Sequence, residues 1–284
     1  MKKEKFLIPI IAASLLCGCA ANNNNNNSGT TSTTAESTTN STQTSAPTAK
    51  AVAGINDLST EKVIWGPGNI TDHQQPNDPV LLQRQFSSFN ASWLLENEKS
   101  VCLTFDEGYE NGYTTQILDT LKEKGVKAAF FVTYDYCKNS PDLVQRMIDE
   151  GHIVGNHSYT HPSFPDCSAK EVEEEITLLH DYVKDNFNYE MTFFRFPKGE
   201  FSEKTLDIVK SLGYTSVFWS FAYADWDVNV QPAAAEAFET ITSATHKGAV
   251  YLLHAVSKAN ADCLSDVLDY WANNGYRMGS LEEI

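Results

Sequence analysis

The chain has 284 residues, and 42% of them are hydrophobic. That length is sufficient for one large domain or two small ones. The formal net charge is −16, which argues against nucleic acid as a partner, because binding to phosphate backbones needs clustered positive charge.

The first residues have the pattern of an export signal. A basic region at residues 1–5 precedes an apolar run from Phe6 to Leu16. This run is shorter than the roughly 20 residues of a membrane-spanning helix but suits the core of a signal peptide. It ends in Leu16-Cys17-Gly18-Cys19, which resembles the processing box of bacterial lipoproteins. The resemblance implies that residues 1–18 are a lipoprotein signal peptide and that Cys19 carries the lipid. An ordinary secretory signal with an incidental cysteine is the alternative.

Residues 19–53 are predicted to be a disordered tether. They contain a run of asparagines, Asn22 to Asn27, followed mainly by Ser and Thr. Such a segment has too little apolar surface to offset the entropy of ordering. A flexible chain behind a lipid anchor lets a domain search the volume above a membrane. We therefore predict an extracytoplasmic protein that is anchored to the bacterial membrane through Cys19.

Residues 54–98 lack a regular pattern and contain the turn-forming stretch Trp65-Gly66-Pro67-Gly68. We predict an N-terminal extension that packs on the main domain. From residue 99 to residue 284, short apolar runs alternate with segments in which apolar residues recur every three or four positions. The predicted strands are Val101–Phe105, Ala128–Val132, His152–Gly155, Thr192–Phe196, Thr215–Trp219 and Ala249–Leu253.

Capping residues mark the ends of the helices between these strands. Ser168 and Glu171 form a capping box before the apolar positions of one predicted helix. Gly125 and Gly213 follow the last apolar positions of two others and favour helix ends there. Strand–helix–strand repetition predicts a parallel sheet with helices outside it, either open or closed into a barrel.

Cysteine usage gives no sign of a structural zinc site. Beyond Cys17 and Cys19, four cysteines remain, and no two of them form a C-x-x-C pair. An exported protein could form disulfides, but the spacing does not identify partners. These residues are Cys102, Cys137, Cys167 and Cys263, and the first is predicted to be a lone buried thiol in a strand.

Ionisable residues lie just beyond five of the strand positions. In parallel α/β folds, active residues gather at the C-terminal ends of the strands, so these side chains are expected to share one rim. The sequence therefore predicts a functional site there. Its members are Asp106 and Glu107, His157 and His161, Arg195, Asp225, and His254.

His157 and His161 are four residues apart, which suits two ligands of one metal ion. Two surface histidines are the alternative for an isolated H-x-x-x-H pattern. The position after a strand, with acids after another strand, favours the metal. Two histidines and one carboxylate leave coordination positions open, as in catalytic rather than structural sites.

The other rim residues each have an ordinary structural alternative. Arg195 could form a surface salt bridge, but the Pro and Gly that follow it predict a rigid turn, in which it could lower the pKa of a carboxylate. His254 could be a core histidine, but Asp225 is available to orient and charge it, which favours a general acid. Trp219 and Trp226 are either core aromatics or the wall of a sugar site.

Five motifs, in this order, resemble the polysaccharide deacetylase family, also called carbohydrate esterases of the nodulation-protein type. The resemblance covers about residues 99–284 and implies a distorted (β/α) barrel of about seven parallel strands. The stretch from Thr104 to Tyr113 is similar to the delta-lactam-biosynthetic de-N-acetylases, which act on muramic acid of peptidoglycan. The motifs are Thr104 to Gly108, His157 to His161, Arg195 to Gly199, Asp225-Trp226 and Leu252 to His254.

The resemblance implies hydrolytic removal of the N-acetyl group from N-acetylmuramic acid in peptidoglycan. Asp106 would act as general base and His254 as general acid. Arg195 would keep Asp106 ionised, and Asp225 would tune the acid and the base. The backbone N–H of Lys198 matches the family's position for binding the oxyanion.

The resemblance also implies a divalent metal, expected to be zinc, with Glu107, His157 and His161 as its ligands. Such an ion polarises the acetamide carbonyl and activates water. Peptidoglycan strands are the expected partner, and a monomer is expected. Contacts with the sugar are assigned to three aromatic residues: Tyr109, Trp219 and Trp226.

Two residues depart from the family's usual pattern. Glu107 stands where most members have Asp, which puts the affinity and identity of the metal in question. Ala222 stands where many members carry an extra acid, which matches the muramic acid branch. Two other functions are therefore considered: a deacetylase of N-acetylglucosamine in peptidoglycan or chitin-like chains, and a catalytically inactive module that binds wall glycans.

Overall fold

The computed structural model describes residues 57–96 and 99–284. The predicted signal peptide at 1–18, the lipidation site Cys19 and the tether at 19–53 lie outside these residues. Within the described ranges, no helix is both long enough and apolar enough to cross a membrane.

The described chain consists mainly of strands that alternate with helices. The strands are β1 (Ala91–Ser92), β2 (Ser100–Glu107), β3 (Ala129–Val132), β4 (Ile153–Asn156), β5 (Phe193–Phe194), β6 (Thr215–Val217), β7 (Phe221–Ala222), β8 (Ala249–His254) and β9 (Arg277–Met278). The helices are α1 (Asn77–Gln85), α2 (Thr114–Lys124), α3 (Tyr134–Asn139), α4 (Pro141–Asp149), α5 (Ala169–Phe187), α6 (Glu203–Ser211), α7 (Ala234–Ser243) and α8 (Lys258–Asn273).

All of these strands belong to one sheet in the order β1-β6-β5-β4-β3-β2-β8-β7, with β9 paired to β2. Every strand pair is parallel. The sheet curls into a half-barrel surrounded by helices, which confirms the predicted fold class. Parallel pairing brings the C-terminal ends of the strands to one rim, where β2 and β8 run side by side with Asp106 opposite His254.

The described residues contain more strands than the seven or so that were expected. The extra ones are short, since β1, β7 and β9 have two residues each. A two-residue strand is too short to show an alternating pattern in the sequence. β1 lies within the segment 54–98 that the sequence assigns to the extension, so the sheet begins before residue 99.

Local signals in the sequence place the helix ends as expected. Ser168 accepts a hydrogen bond from the Glu171 backbone N–H while the Glu171 side chain accepts from the Ser168 N–H, which is a complete capping box for α5. Gly125 ends α2 in the left-handed conformation, with φ of 66°. These caps fix where each helix starts and stops, and therefore how long each connection to the next strand is.

Both faces of the sheet are apolar, as expected for parallel strands that are covered on both sides. Leu103 and Phe105 of β2 join the larger core cluster together with Ile117 of α2. Cys102 of β2 belongs to a second, smaller cluster with Phe131 and other residues from neighbouring strands. Because successive strand residues face opposite sides, the even-numbered residues of β2 face the interior of the half-barrel.

The N-terminal segment contacts the half-barrel through Trp65. Its indole Nε1 donates a hydrogen bond to the Gly199 carbonyl at 2.9 Å. Its ring packs edge-on against Trp93 and Phe218, with centroids 5.9 and 5.6 Å away, and lies 5.1 Å from the ring of Trp219. This segment therefore supports the turn that contains Gly199.

Candidate active site

A pocket of about 500 Å³ opens at the C-terminal rim of the strands. Eight of the predicted site residues line it: Asp106, Tyr109, His157, His161, Lys198, Trp219, Trp226 and His254. Its remaining lining is small or apolar, apart from one tyrosine: Gly108, Ala222, Tyr223, Leu252 and Val256. The strand ends thus bring together side chains that are up to 148 positions apart in the sequence.

Arg195 lies beneath the pocket and is fully buried. Its Nη1 donates to Asp106 Oδ1 at 2.9 Å and to Thr104 Oγ1 at 2.7 Å. Its remaining donors meet the backbone carbonyls of Val217 and Phe218 at 3.1 and 3.3 Å. A guanidinium held by this many partners has one orientation, so Asp106 is held in one orientation as well.

The surroundings of Asp106 favour its ionised form. Burial alone would raise the pKa of this carboxyl group. Electrostatic interactions with His157, Arg195 and His254, together with the hydrogen bond from Arg195, outweigh burial and lower the pKa below its usual value. Asp106 is therefore a carboxylate at neutral pH with its second oxygen directed toward the pocket.

His157 and His161 lie side by side, with ring centroids 4.8 Å apart. His157 Nδ1 is 2.9 Å from the Arg195 carbonyl, and because a carbonyl only accepts, Nδ1 carries the proton. His157 Nε2 is therefore free to act as a ligand, and it lies 3.4 Å from Asp106 Oδ2. Burial and neighbouring charges lower the pKa of both histidines, that of His161 to about 4.

Glu107 occupies a different environment from its neighbour Asp106. It is fully buried, and neither carboxylate oxygen has a hydrogen-bond partner among the described residues. Burial and the negative charges of Glu110 and Asp106 raise its pKa well above the usual value. It does not line the pocket. Ligation of a metal by Glu107 stays a prediction, and it needs a side-chain arrangement other than this one.

The donor set at the pocket nevertheless suits a divalent cation. Two neutral imidazoles and a carboxylate are borderline-soft nitrogen and oxygen ligands of the kind that zinc accepts. The hydrogen bond from His157 Nδ1 to a backbone carbonyl is the usual outer contact of a metal-binding histidine. The described residues contain no group of three or more ligands already arranged for a metal ion.

Asp225 holds His254 through two hydrogen bonds. Asp225 Oδ1 lies 2.7 Å from His254 Nδ1, and Oδ2 accepts from the His254 backbone N–H at 2.8 Å. Burial would lower the pKa of His254, but the hydrogen bond to Asp225 and the negative charges of Asp225 and Asp106 outweigh burial and raise it. Its Nε2 is left for a reacting group, and the partly exposed ring lies 6.0 Å from that of Trp226.

A tight turn at Pro197–Gly199 forms another part of the pocket wall. Lys198 has φ of 59° and ψ of 6°, a left-handed conformation that residues with a Cβ rarely adopt. Its backbone N–H donates to no backbone carbonyl in the described part of the chain. Gly199 follows with φ of 68°, and a Cβ there would lie 2.7 Å from the Trp219 ring.

The three aromatic residues assigned to the sugar differ in exposure. Trp226 and Tyr109 are 56% and 52% exposed and project at the pocket rim. Trp219 is partly buried, because Trp65 and the Gly199 turn pack on it. Large exposed aromatic faces next to a polar pocket are typical of surfaces that bind a ligand.

Two residues that position the site were missed in the sequence. Thr104 accepts from Arg195 and donates to the Tyr251 carbonyl at 2.6 Å. Thr104 lies two residues before Asp106 in the same strand, so the alternation of side chains places both on one face and indicates a shared environment. Asn260 donates from Nδ2 to Asp225 Oδ2 at 2.6 Å. No local pattern marks Asn260, because its contact depends on how α8 docks against the strand ends.

Known proteins resemble this chain in sequence. The family model for polysaccharide deacetylase matches residues 96–217. The chain is 38% identical to the Bacillus subtilis peptidoglycan-N-acetylmuramic acid deacetylase PdaA over 238 residues, covering 83% of this chain and 90% of that protein. The chain belongs to the polysaccharide deacetylase family. The family predicted from the motifs is thereby confirmed.

Two further similarities bear on the branch of the family. The solved structure of Bacillus subtilis PdaA, a family 4 carbohydrate esterase, matches with a TM-score of 0.76, covering 79% of this chain and 97% of that one. The Listeria monocytogenes peptidoglycan-N-acetylglucosamine deacetylase PgdA is 32% identical over 189 residues, which are 66% of this chain and 39% of that protein. The similarity therefore extends further along PdaA than along PgdA.

Proposed function

We propose that this polysaccharide deacetylase hydrolyses the N-acetyl group of N-acetylmuramic acid in peptidoglycan, releasing acetate and a free amino sugar. One observation carries the proposal. Asp106 and His254 face one pocket, and each is held by a buried partner of opposite charge, Arg195 for the first and Asp225 for the second. The identity to PdaA along most of both chains supports muramic acid as the sugar.

Asp106 is proposed as the general base. An amide is a poor electrophile, so the attacking water has to lose its proton as it adds to the carbonyl. Asp106 Oδ1 is held by Arg195, which leaves Oδ2 to accept that proton. The lowered pKa keeps the carboxylate available across the neutral range.

His254 is proposed as the general acid. Cleavage of the C–N bond leaves an amine that has to be protonated as it departs. Asp225 fixes the proton on Nδ1 and raises the pKa of the ring, so that the doubly protonated form persists to higher pH. The raised pKa makes His254 suitable to donate from Nε2 near neutral pH.

The Lys198 backbone N–H is proposed to bind the oxyanion of the tetrahedral intermediate. Lys198 lines the pocket, and its backbone N–H donates to no backbone carbonyl in the described chain. A donor placed in advance stabilises charge that develops in the transition state, because no reorganisation is needed when the charge appears.

His157 and His161 would hold a divalent metal, for which we propose zinc, together with a carboxylate from the end of β2. Glu107 is the proposed third ligand, although Asp106 lies nearer to His157 Nε2. When bound, such an ion supplies a Lewis acid for the acetamide carbonyl and lowers the pKa of water.

The proposed location follows from the N-terminal pattern. Cleavage after residue 18, lipid attachment at Cys19 and a tether through residue 53 would place the domain on the outer side of the membrane. The extension at 54–98 and the catalytic domain at 99–284 would then act as a monomer on glycan strands around it. Labelling with a radioactive fatty acid, lost in Cys19→Ala, would test the anchor.

The decisive experiment for function follows acetate release by the purified protein from defined glycans, with and without chelator and added zinc. Release from peptide-free glycan at muramic acid supports the proposal. Release from N-acetylglucosamine oligomers alone would support the second candidate function, a deacetylase of N-acetylglucosamine. The similarity to PgdA is the reason to test it. No release under any metal condition would favour a glycan-binding module without catalysis.

A further inference from the structure

The Lys198 side chain has no assigned role, although it lines the pocket. Lys198 is exposed, and its ammonium forms no hydrogen bond or ion pair with any described residue. Its charge acts on Asp166, Glu200 and His161. The direct ion-pair partner of the two acids is Lys62, whose Nζ lies 3.0 Å from Glu200 and 3.7 Å from Asp166. The Lys198 charge is therefore available for a ligand.

Among the residues that line the pocket, Lys198 is the one Lys or Arg. Arg195 lies below the pocket with no exposed surface, and its donors are used by Asp106, Thr104 and two carbonyls. The whole chain carries a formal net charge of −16, so an anionic substrate is repelled at long range. A cation at the pocket entrance would offset this repulsion locally.

The backbone gives no reason for a lysine at this position. Left-handed φ and ψ values are normally taken by Gly, or by Asn, because a Cβ is strained there. Lys198 has φ of 59° and keeps its long side chain despite that strain. A strained residue beside a candidate site marks a functional position, and this residue also presents an exposed ammonium at the pocket.

Muramic acid differs from glucosamine by a lactyl ether on O3, which ends in a carboxylate. The N-acetyl group is on C2, the adjacent ring carbon, so the lactyl group lies next to the reacting acetamide. We propose that Lys198 Nζ binds this lactyl carboxylate and thereby selects muramic acid over glucosamine. The proposal rests on the function proposed above and adds a side-chain role to the backbone role of the same residue.

The test compares two substrates and three proteins. The substrates are peptide-free glycan strands with a free lactyl carboxylate, and the same strands with that carboxylate converted to a primary amide. The proteins are the full-length wild type, Lys198→Asn and Lys198→Arg. Asn tolerates the left-handed backbone and removes the charge, whereas Arg keeps the charge.

The wild type is expected to prefer the free acid by about tenfold in kcat/KM, mostly through KM, because charged hydrogen bonds contribute an energy of that order. Lys198→Asn should show nearly equal values for the two substrates, and Lys198→Arg should retain the preference. Since Lys198 is exposed, the preference should also shrink at high salt.

An equal preference in wild type and Lys198→Asn would overturn the proposal, as would a wild type that does not distinguish the acid from the amide. A wild type inactive on both strands, or active on glucosamine alone, would instead contradict the proposed function. If Lys198→Asn has no measurable turnover, binding is measured by calorimetry instead. The free-acid strand is titrated into the single variant Asp106→Asn and into the double variant that also carries Lys198→Asn. About tenfold weaker binding supports the proposal, and equal binding overturns it.

Discussion

Asp106 and Glu107 are adjacent in the chain, yet their carboxylates have opposite surroundings. Asp106 accepts from Arg195 at 2.9 Å and faces the pocket, whereas Glu107 is buried without a hydrogen-bond partner among the described residues. Their pKa values are shifted in opposite directions, down for Asp106 and up for Glu107. Two neighbouring acids of this kind are suited to different tasks, and each can be tested separately.

Replacing Asp106 by Asn should abolish turnover and leave the fold and the metal content nearly unchanged. The variant keeps the shape of the side chain but removes the base, which is worth about 10²- to 10⁴-fold in rate. Acetate release, circular dichroism and elemental analysis for metal would be measured together. Loss of metal in this variant would mean that the roles of the two acids are exchanged.

Glu107→Gln should change how stability depends on pH in metal-free protein. Because the pKa of Glu107 is raised, the folded state retains the carboxyl proton to higher pH than the unfolded state does. The wild type should therefore lose stability as pH rises from about 4.5 through the folded pKa, by about 1–3 kcal/mol for a buried group without partners. Urea unfolding at several pH values would show this loss reduced in the variant.

The same pair of proteins tests the metal assignment. If Glu107 is a ligand, saturating zinc should raise the Tm of the wild type more than that of Glu107→Gln, because a ligand that binds only the folded state stabilises it. An equal rise in Tm would remove Glu107 from the ligand set and leave Asp106 as the nearer carboxylate.

Asp225→Asn should move the basic limb of the pH–rate profile toward lower pH. Asp225 raises the pKa of His254, so without its charge the ring loses its proton earlier as pH rises. The maximal rate should also fall by about 10²-fold, as expected when a general acid is lost. A basic limb at the same pH in both proteins would contradict the assignment of His254. Thermal unfolding would serve as the folding control.

Chelation should abolish activity, and added zinc should restore it in the wild type but not in His157→Ala. His157 Nε2 faces the pocket with its tautomer fixed by the Arg195 carbonyl, so its removal takes away a ligand. Because the ring is buried beside Asp106, circular dichroism would check that the fold is retained. His180→Ala is a suitable control, because His180 lies outside the pocket, where its ring contacts Glu190 and the Tyr214 hydroxyl. Activity that survives complete removal of metal would argue against metal assistance.

The sequence predicted the parts of the structure that depend on local pattern. The long apolar strand β2 and the capping box at Ser168 were recognisable because each has a signal of several residues. The two-residue strands β1, β7 and β9 have no such signal, whereas β5, also two residues long, lies within the longer apolar run 192–196. The strands β1, β7 and β9 form because longer neighbouring strands present free hydrogen-bonding edges.

For the site, motifs at strand ends predicted which side chains meet, but not how each of them is oriented. Alternation along a strand implies that Asp106 and Glu107 face opposite sides, so a regular strand directs only one of the two carboxylates into the pocket. Asn260 could not have been predicted, because its contact with Asp225 depends on tertiary packing.

Gly199 links the chemical and the recognition parts of the pocket. Its Cα lies so close to Trp219 that an added Cβ would come within 2.7 Å of the indole, and the same Cβ would lie 3.2 Å from the ring of Trp65. The Trp65 indole also donates a hydrogen bond to the Gly199 carbonyl. The amide of Lys198 and the ring of Trp219 thus belong to one closely packed unit. The spacing between the Lys198 amide and the Trp219 ring is therefore set by packing, and a substrate that contacts both has to match it.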